Sequence, residues 1–374
     1  MTTSKNNFAL LLIISASFIW SAQASLYIPV KFDILKNQIS FNATFGTENC
    51  QIETKAEFIH CNNDIDFNRT GENQLQTCGA VKTGTRISGL SNYEANFKMG
   101  NFEANVIFAE YNDIDYKNLT YHTKSLCFGK VYNDKIQLSM LKQLNKEGLI
   151  SQPRVYITFF NKYLSYFTKD DIIGQINLGE PNPDFIKKGS NFVKMYVNNS
   201  DPYQLECNFY SNGETTFFGQ KLGNYRRYNI DFDSASSSID KDVFEYMLTI
   251  LKERGYKIEV SEFGIYNQYF INTIEGLEPI KITLLTEDMS PYVLSLDASV
   301  YTQKIAKGVY KILFDAINGN SAFVIGNKIL TSYYFGYDAN TQNTFFAERA
   351  QDLNPQQVAE QAQNFSHYLR SVKI

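Results

Sequence analysis

A carboxylate surrounded by very small side chains lies in the second half of the chain. The stretch Asp233-Ser234-Ala235-Ser236-Ser237 follows the run "YNIDF", and apolar residues return after it. A carboxylate can accept or donate a proton, and small hydroxyl side chains can hydrogen-bond it and leave room for a second loop. The pattern is compatible with an acid–base site, although alone it is more often a polar turn between a strand and a helix.

The chain lacks the motifs of several common enzyme classes. It has no G-x-S-x-G, no H-E-x-x-H and no phosphate-binding glycine loop, and its three histidines are His60, His122 and His367. Histidine-based triads and zinc sites need more such residues than this sequence supplies. We therefore expect no metal and no other cofactor.

Short runs rich in β-branched and aromatic residues predict β-strands along most of the chain. They include residues 153–160, 191–197, 224–232 and 321–326. Helical spacing of apolar residues occurs at 138–150 and 240–255, and the polar tail 351–374 is predicted as a terminal helix. Many strands with a few short helices predict an all-β protein.

The N-terminus predicts entry into the secretory pathway. Residues 1–24 combine Lys5, an apolar run and a small-residue ending at Ala24, which is the pattern of a cleaved signal peptide. No run approaches about 18 apolar residues, so we expect no membrane span. A net charge of −4 without a basic block gives no reason to expect nucleic-acid binding. We expect a protein that is secreted or lumenal in the secretory or endolysosomal pathway.

Cysteines and glycosylation sequons fit that route. Four of the five cysteines lie in the N-terminal half and can form two disulfides, with the pairing left open and Cys207 left over. Those four are Cys50, Cys61, Cys78 and Cys127. N-x-S/T sequons, which predict glycosylation, occur at Asn42, Asn68, Asn118, Asn198 and Asn364.

Two segments of the second half together resemble the C-terminal lobe of pepsin-like aspartic peptidases. In the first, residues 228–248, Asp233-Ser234-Ala235-Ser236-Ser237 matches the family's Asp-Thr/Ser-Gly-Thr/Ser-Ser loop at the end of a strand. In the second, residues 320–348, Ile325-Gly326-Asn327 matches the late hydrophobic-Gly-Asp segment, and a tyrosine-rich stretch follows.

Weaker matches precede these segments in the family's order. Residues 41–47 resemble the first strand, 84–89 the flap hairpin, 139–161 a helix and its following strand, and 173–186 the bridge between lobes. The resemblance covers about residues 38–350. It implies a bilobal all-β fold with an interlobe cleft, an N-terminal lobe at 25–190 and a C-terminal lobe at 191–350.

The resemblance also implies a chemistry. Enzymes of this type use two carboxylates, one from each lobe, that share one proton around a water molecule. Asp233 would be one of them, with Ser234 and Ser236 as orienting neighbours. Ala235 takes the place of the motif's glycine, and its Cβ predicts strain in that turn.

The second carboxylate departs from the family's pattern. An ungapped count from Gly46-Thr47 places Glu57 where the first aspartate belongs, and bulky Phe58 and Ile59 follow it where small residues are needed. Other N-terminal candidates also lack small residues after them: Asp64, Asp66, Asp113 and Asp115. Val81 and Lys82 stand in place of the flap tyrosine, and the usual basic pro-segment is missing.

These departures favour a secreted protein of this family whose dyad is impaired and whose cleft binds a peptide or protein. The alternative is an active aspartic endopeptidase in which Glu57 or another N-lobe carboxylate partners Asp233. A third interpretation is a glycoprotein that uses the two-lobed scaffold only for surface contacts. In each case we expect a monomer.

Overall fold

The structure is a computed structural model that describes fifteen segments of the chain. They are residues 26–33, 38–46, 50–58, 64–65, 76–85, 91–110, 125–129, 138–160, 172–196, 209–211, 214–223, 225, 227–263, 266–319 and 322–350. These segments are mostly antiparallel β-sheet with a few short helices, which confirms the predicted all-β class.

The elements up to residue 186 form one long series of strands interrupted by short helices. They are β1 (Leu26–Asp33), β2 (Gln38–Phe45), β3 (Cys50–Glu57), β4 (Asp64–Ile65), β5 (Val81–Thr85), β6 (Ser91–Met99), β7 (Phe102–Glu110), β8 (Ser125–Cys127), α1 (Met140–Lys146), β9 (Arg154–Phe159), β10 (Gly174–Leu178) and a 3-10 helix (Pro183–Phe185).

The elements after residue 190 are also mostly short strands with a few short helices. They are β11 (Val193–Lys194), β12 (Phe209–Tyr210), β13 (Thr215–Phe217), β14 (Gln220–Gly223), β15 (Arg227–Asp231), β16 (Ser237–Asp240), α2 (Lys241–Glu253), β17 (Ile258–Phe263), β18 (Tyr266–Ile271), β19 (Ile280–Leu285), β20 (Pro291–Leu296), α3 (Ala298–Tyr301), β21 (Thr302–Ala306), β22 (Val309–Ile312), β23 (Phe314–Ile317), β24 (Ala322–Gly326), a 3-10 helix (Asn327–Thr331), β25 (Tyr333–Asp338) and β26 (Thr344–Glu348).

One large sheet links the two halves of the sequence. Its thirteen strands run in the order β11-β26-β25-β9-β10-β1-β2-β3-β8-β4-β7-β6-β5, and β2 also pairs with β6. A five-stranded sheet has the order β12-β15-β24-β16-β23, and two four-stranded sheets have the orders β14-β13-β19-β20 and β17-β18-β22-β21. Buried side chains from both halves, Phe41 and Phe323 among them, belong to one continuous hydrophobic cluster.

Two sets of four strands share one connectivity. In the first half, β3 pairs parallel with β8, β8 pairs antiparallel with β4, and β4 pairs parallel with β7. In the second half, β15, β24, β16 and β23 repeat these three relations in the same chain order. The loops that follow β3 and β15 therefore occupy equivalent places in a structural repeat.

Most of the predicted elements agree with the structure. The strands expected at 153–160, 224–232 and 321–326 are present as β9, β15 and β24. Both internal helices form, and α2 begins at the N-cap Asp240, whose carboxylate accepts from the N–H of Asp242. The strand expected at 191–197 is limited to β11. The tail 351–374 lies outside the described residues.

Helix α1 is fastened to the edge of β7 by one buried glutamine. Gln143 is 4% exposed, and its Oε1 accepts from the Ile107 N–H at 2.6 Å. Its Nε2 donates to the carbonyl oxygens of Ile107 and Leu138 at 3.2 and 2.8 Å. The side chain thus bonds both backbone groups of Ile107 and holds the helix against the sheet.

Replacing this glutamine is expected to destabilise the fold. Gln143→Met keeps the side-chain volume but removes every bond to Ile107 and Leu138, and a buried backbone group without its partner costs about 1–3 kcal/mol. We expect the free energy of unfolding, measured by urea denaturation, to fall by about 2 kcal/mol. The exposed replacement Lys146→Met on the same helix is the control, and equal effects of both variants would contradict this role.

The structure joins Cys50 to Cys78, with 6.0 Å between their Cα atoms, and Cys127 is also disulfide-bonded. Disulfides are typical of oxidising compartments. Of the five sequons, Asn42 lies exposed on β2, and the other four lie outside the described residues. No helix in the described segments is long and apolar enough to cross a bilayer.

Candidate functional site

Asp233 lies two residues beyond the end of β15, in a tight turn. Its backbone N–H donates to Asp231 Oδ1 at 2.8 Å, and the Ser236 N–H donates to Ser234 Oγ at 3.1 Å. Both bonds are local side-chain-to-backbone contacts that close polar turns. They leave the Asp233 side chain 50% exposed.

The residues at the end of the neighbouring strand β24 hydrogen-bond to this turn. β24 runs parallel to β15 with Asp231 opposite Gly326, so the end of β24 lies beside the turn that contains Asp233. The Asn327 N–H donates to the Ser234 carbonyl at 2.7 Å, and Asn327 Nδ2 donates to the Phe232 carbonyl at 3.0 Å. Asn327 is 1% exposed, so these bonds are shielded from water.

Gly326, at the end of β24, must lack a side chain because the backbone of the turn passes very close to it. A Cβ on Gly326 would lie 2.5 Å from the Ala235 carbonyl oxygen and 2.7 Å from the Ser236 carbonyl carbon. The 233–237 turn therefore passes directly over Gly326. Ala235 itself has a negative φ, so the strain expected from its Cβ is not found.

A lysine connects Asp233 to the first half of the chain. Lys55 Nζ donates to Asp233 Oδ2 at 2.8 Å and lies 3.3 Å from Glu57 Oε1. Lys55 and Glu57 are two residues apart on β3, so their side chains share one face of the strand. The structure thus brings Glu57 and Asp233 to the same ammonium group, which is hydrogen-bonded to Asp233 and within ion-pair distance of Glu57.

Burial and charge act in opposite directions on this ammonium. The Lys55 side chain is 16% exposed, and burial alone would lower its pKa, but the Glu57 and Asp233 carboxylates outweigh burial and raise the pKa above its usual value. Lys55 therefore remains protonated at every physiological pH. Beside it, burial raises the pKa of Asp231, and the neighbouring Asp233 carboxylate adds to the rise.

Two phenylalanines meet where the equivalent strands end. Phe58 follows β3 and Phe232 follows β15, both are almost fully buried, and their ring centroids are 4.7 Å apart. Phe232 also contacts Phe335, and Phe58 stacks on Phe128. Aromatic pairs at this distance add about 0.5–1.5 kcal/mol beyond their buried area. The junction between the two strand ends is thus closed by apolar packing.

The strand registers give a residue-by-residue correspondence between the repeats. Ser125 of β8 pairs with Lys55 and Asp64, and Val324 of β24 pairs with Asn229 and Ser238. The segment from Lys55 to Asp64 has the same length as the segment from Asn229 to Ser238. Lys55 therefore corresponds to Asn229, and Glu57 corresponds to Asp231.

The next residue along the sequence matches Phe58 with Phe232, and the count then reaches Ile59, which lies outside the described residues, opposite Asp233. This register differs from the ungapped sequence count, in which Glu57 took the place of the first aspartate.

The remaining predicted site residues are placed as follows. Ser234 and Ser236 lie in the turn, and the hydrogen bond between them joins Oγ to a backbone N–H rather than to the Asp233 carboxylate. Val81 and Lys82 lie on the exposed edge strand β5. Asp64 is on β4, and Asp66, Asp113 and Asp115 lie outside the described residues.

Sequence reasoning missed Lys55 and Asp231. Strand alternation could have placed Lys55 beside Glu57, and the "DFD" spacing could have placed Asp231 beside the turn. No protein-family model matches the chain, and a search of curated proteins finds no match.

Proposed function

We propose that the chain is a secreted protein with a two-lobed, pepsin-like architecture whose interlobe cleft binds an extended peptide segment without hydrolysing it. The repeated four-strand connectivity supports the architecture. In the proposal, β3 and β15 each deliver a loop to the floor of the cleft, one from each lobe. The disulfides and the predicted signal peptide support an oxidising, extracellular or lumenal location.

The observation that carries the proposal is the ammonium group between Glu57 and Asp233. A working dyad needs two carboxylates in contact that share one proton and hold a water molecule. Here Lys55 Nζ is bonded to one carboxylate and within ion-pair distance of the other. A cation that contacts both carboxylates takes the position in which a dyad holds its shared proton and its water molecule.

The aromatic junction supports the same conclusion. Catalytic loops of this kind meet through small residues that let two carboxylates approach, whereas Phe58 and Phe232 fill the junction here. By residue count along the sequence, Ile59 takes the place of Asp233 in the first half, and it carries no carboxylate. What remains is a partly exposed polar turn at the floor of a proposed cleft, which is suited to binding.

The alternative that the chain is an active endopeptidase keeps one supporting observation. Glu57 and Asp233 approach the same ammonium, so their nearest oxygens can be no more than about 6 Å apart, the sum of the two distances to Nζ. Displacement of Lys55 by a substrate would be needed before those carboxylates could share a proton. Direct measurement of cleavage decides between the two.

A peptide-retention experiment tests the binding function. The mature protein is immobilised and exposed to a peptic digest of casein, and retained peptides are eluted and identified by mass spectrometry. We expect intact peptides to be retained, and retention to fall at least about tenfold for Asp233→Arg, because a long cationic side chain would fill the floor and face Lys55. The control is Asp184→Arg, since Asp184 lies exposed on a 3-10 helix.

Two outcomes would contradict the proposal. Equal retention by the wild type and Asp233→Arg would show that peptides bind elsewhere, in agreement with a scaffold used only for surface contacts. New peptide termini in the eluate, absent for Asp233→Arg, would favour the endopeptidase.

A further inference from the structure

The turn that follows β23 contains an asparagine next to a glycine. Asn318 and Gly319 begin the connection from β23 to β24, and both residues are exposed. Gly319 has a φ of +69°, which a residue with a Cβ rarely adopts. The second Asn-Gly pair of the sequence, Asn212-Gly213, lies outside the described residues. The described segments thus hold one such pair, in a solvent-exposed turn.

The two groups of this pair that could react with each other are free of hydrogen bonds. Among the described residues, none hydrogen-bonds to the Asn318 side chain or to the Gly319 N–H. Asparagine side chains in turns commonly bond a nearby backbone group, as Asn272 does when its Oδ1 accepts from the Lys257 N–H at 3.2 Å. The Asn318 amide has no such bond to break before it reacts.

We propose that Asn318 is a site of spontaneous deamidation, which converts it to aspartate and isoaspartate. The Gly319 backbone nitrogen attacks Asn318 Cγ and loses its proton as the N–Cγ bond forms. The Cγ–Nδ2 bond then breaks and ammonia leaves, which closes a succinimide ring. Water opens the ring at one of its two carbonyl carbons, and the bond that breaks decides whether aspartate or isoaspartate results. Water is the only co-reactant, and no electrons are gained or lost.

The residue after the asparagine decides how readily the ring closes. Its nitrogen must approach Cγ, and a Cβ on that residue, above all a branched one, crowds the approach and restricts the backbone. Asn272 is a comparison within the same chain, since it is also exposed but is followed by Thr273. We therefore expect Asn318 to deamidate at least about tenfold faster than Asn272.

The modification would change the surface beside helix α2. Ile317, the residue before Asn318, pairs with Asp240, which is the N-cap of that helix. Aspartate and isoaspartate each add one negative charge here at pH 7. Isoaspartate also lengthens the main chain by one methylene where the chain leads to β24. The inference does not depend on the proposed peptide-binding function.

The experiment incubates the mature protein at pH 8 and follows its tryptic peptides by mass spectrometry. Asn318 lies in peptide 312–328, Asn272 in peptide 258–281 and Asn212 in peptide 195–221, so the three are measured separately. Fragment ions locate the converted residue, and labelling by an isoaspartyl methyltransferase identifies isoaspartate. Synthetic peptide 312–328 gives the rate without the fold. We expect Asn318 in the folded protein to react within about tenfold of its rate in the free peptide, because the turn offers no protection.

Variants assign the reaction to this pair of residues. Asn318→Gln should remove most of the isoaspartate from peptide 312–328, because its longer side chain must close a larger ring, whereas Asn272→Gln should leave the Asn318 rate unchanged. Conversion of Asn318 no faster than that of Asn272, or more than about tenfold slower than in the free peptide, would overturn the inference. Equal isoaspartate in peptide 312–328 of the wild type and of Asn318→Gln would assign the reaction to another residue and overturn it as well.

Discussion

Purified mature protein incubated with denatured casein or haemoglobin between pH 3 and 6 is expected to release no peptides, or to release them at least about a thousandfold more slowly than pepsin. Removing one member of a catalytic unit usually costs several powers of ten in rate. In the proposed function, the missing member is a carboxylate that can share a proton with Asp233. Lys55, whose pKa lies above its usual value, stays protonated across this pH range. The site therefore keeps a cation beside Asp233, where a dyad would have a shared proton and a water molecule.

The controls make this expectation decisive. Asp233→Asn and a statine-type inhibitor are tested in parallel, since any contaminating peptidase would ignore the substitution. Cleavage that is robust and that both treatments abolish would show that Glu57 or another N-lobe carboxylate acts as the partner of Asp233. That result would replace the binding function with endopeptidase activity. Misplacement of a reacting group by about 1 Å can cost a hundredfold, so weak cleavage would favour an impaired dyad.

The Asp233 turn was predictable because its signals are local. A run of small residues after a strand predicts a tight turn, whereas the segment near residue 325 was implied as its neighbour only by the family resemblance. The structure places Gly326 under this turn, where any side chain would collide with the backbone. Helix α2 was predictable for a similar reason, since its N-cap and apolar spacing lie within one short segment.

The contact between Lys55 and Asp233 was not predictable, because it joins residues 178 positions apart. Alternation shows that Lys55 and Glu57 share a face of β3, but no local signal says which loop that face meets. The structural repeat could not be predicted from the sequence either. The two halves share the same pattern of strand pairing, but the side chains at equivalent positions differ. The sequence predicted a strand at 191–197, but β11 spans only Val193–Lys194. Its length depends on its partner β26, which pairs with only these two residues.

A buried lysine near the site is expected to govern how stability depends on pH. Lys328 is 4% exposed, and its Nζ donates to the Thr302 carbonyl at 2.5 Å. Within the described part of the chain, no carboxylate forms an ion pair with it. Burial lowers the pKa of Lys328 from 10.5 to about 8. Buried tyrosines respond in the opposite sense at higher pH, since burial raises the pKa of Tyr333 to about 12, so the informative range ends near pH 10.

The folded protein holds fewer protons on Lys328 than the unfolded chain between pH 8 and 10.5, so the free energy of unfolding should rise with pH across that window. Below pH 8 the lysine is charged in both states, and the full cost of its burial, up to about 3 kcal/mol, is present. Lys328→Met should therefore raise the free energy of unfolding at pH 7 by about 2–3 kcal/mol and remove the rise between pH 8 and 10. Urea denaturation at a series of pH values measures both effects, with the exposed Lys188→Met as control. Parallel profiles for the wild type and Lys328→Met would show that Lys328 is charged in the folded protein throughout this range, and that its burial carries no such cost.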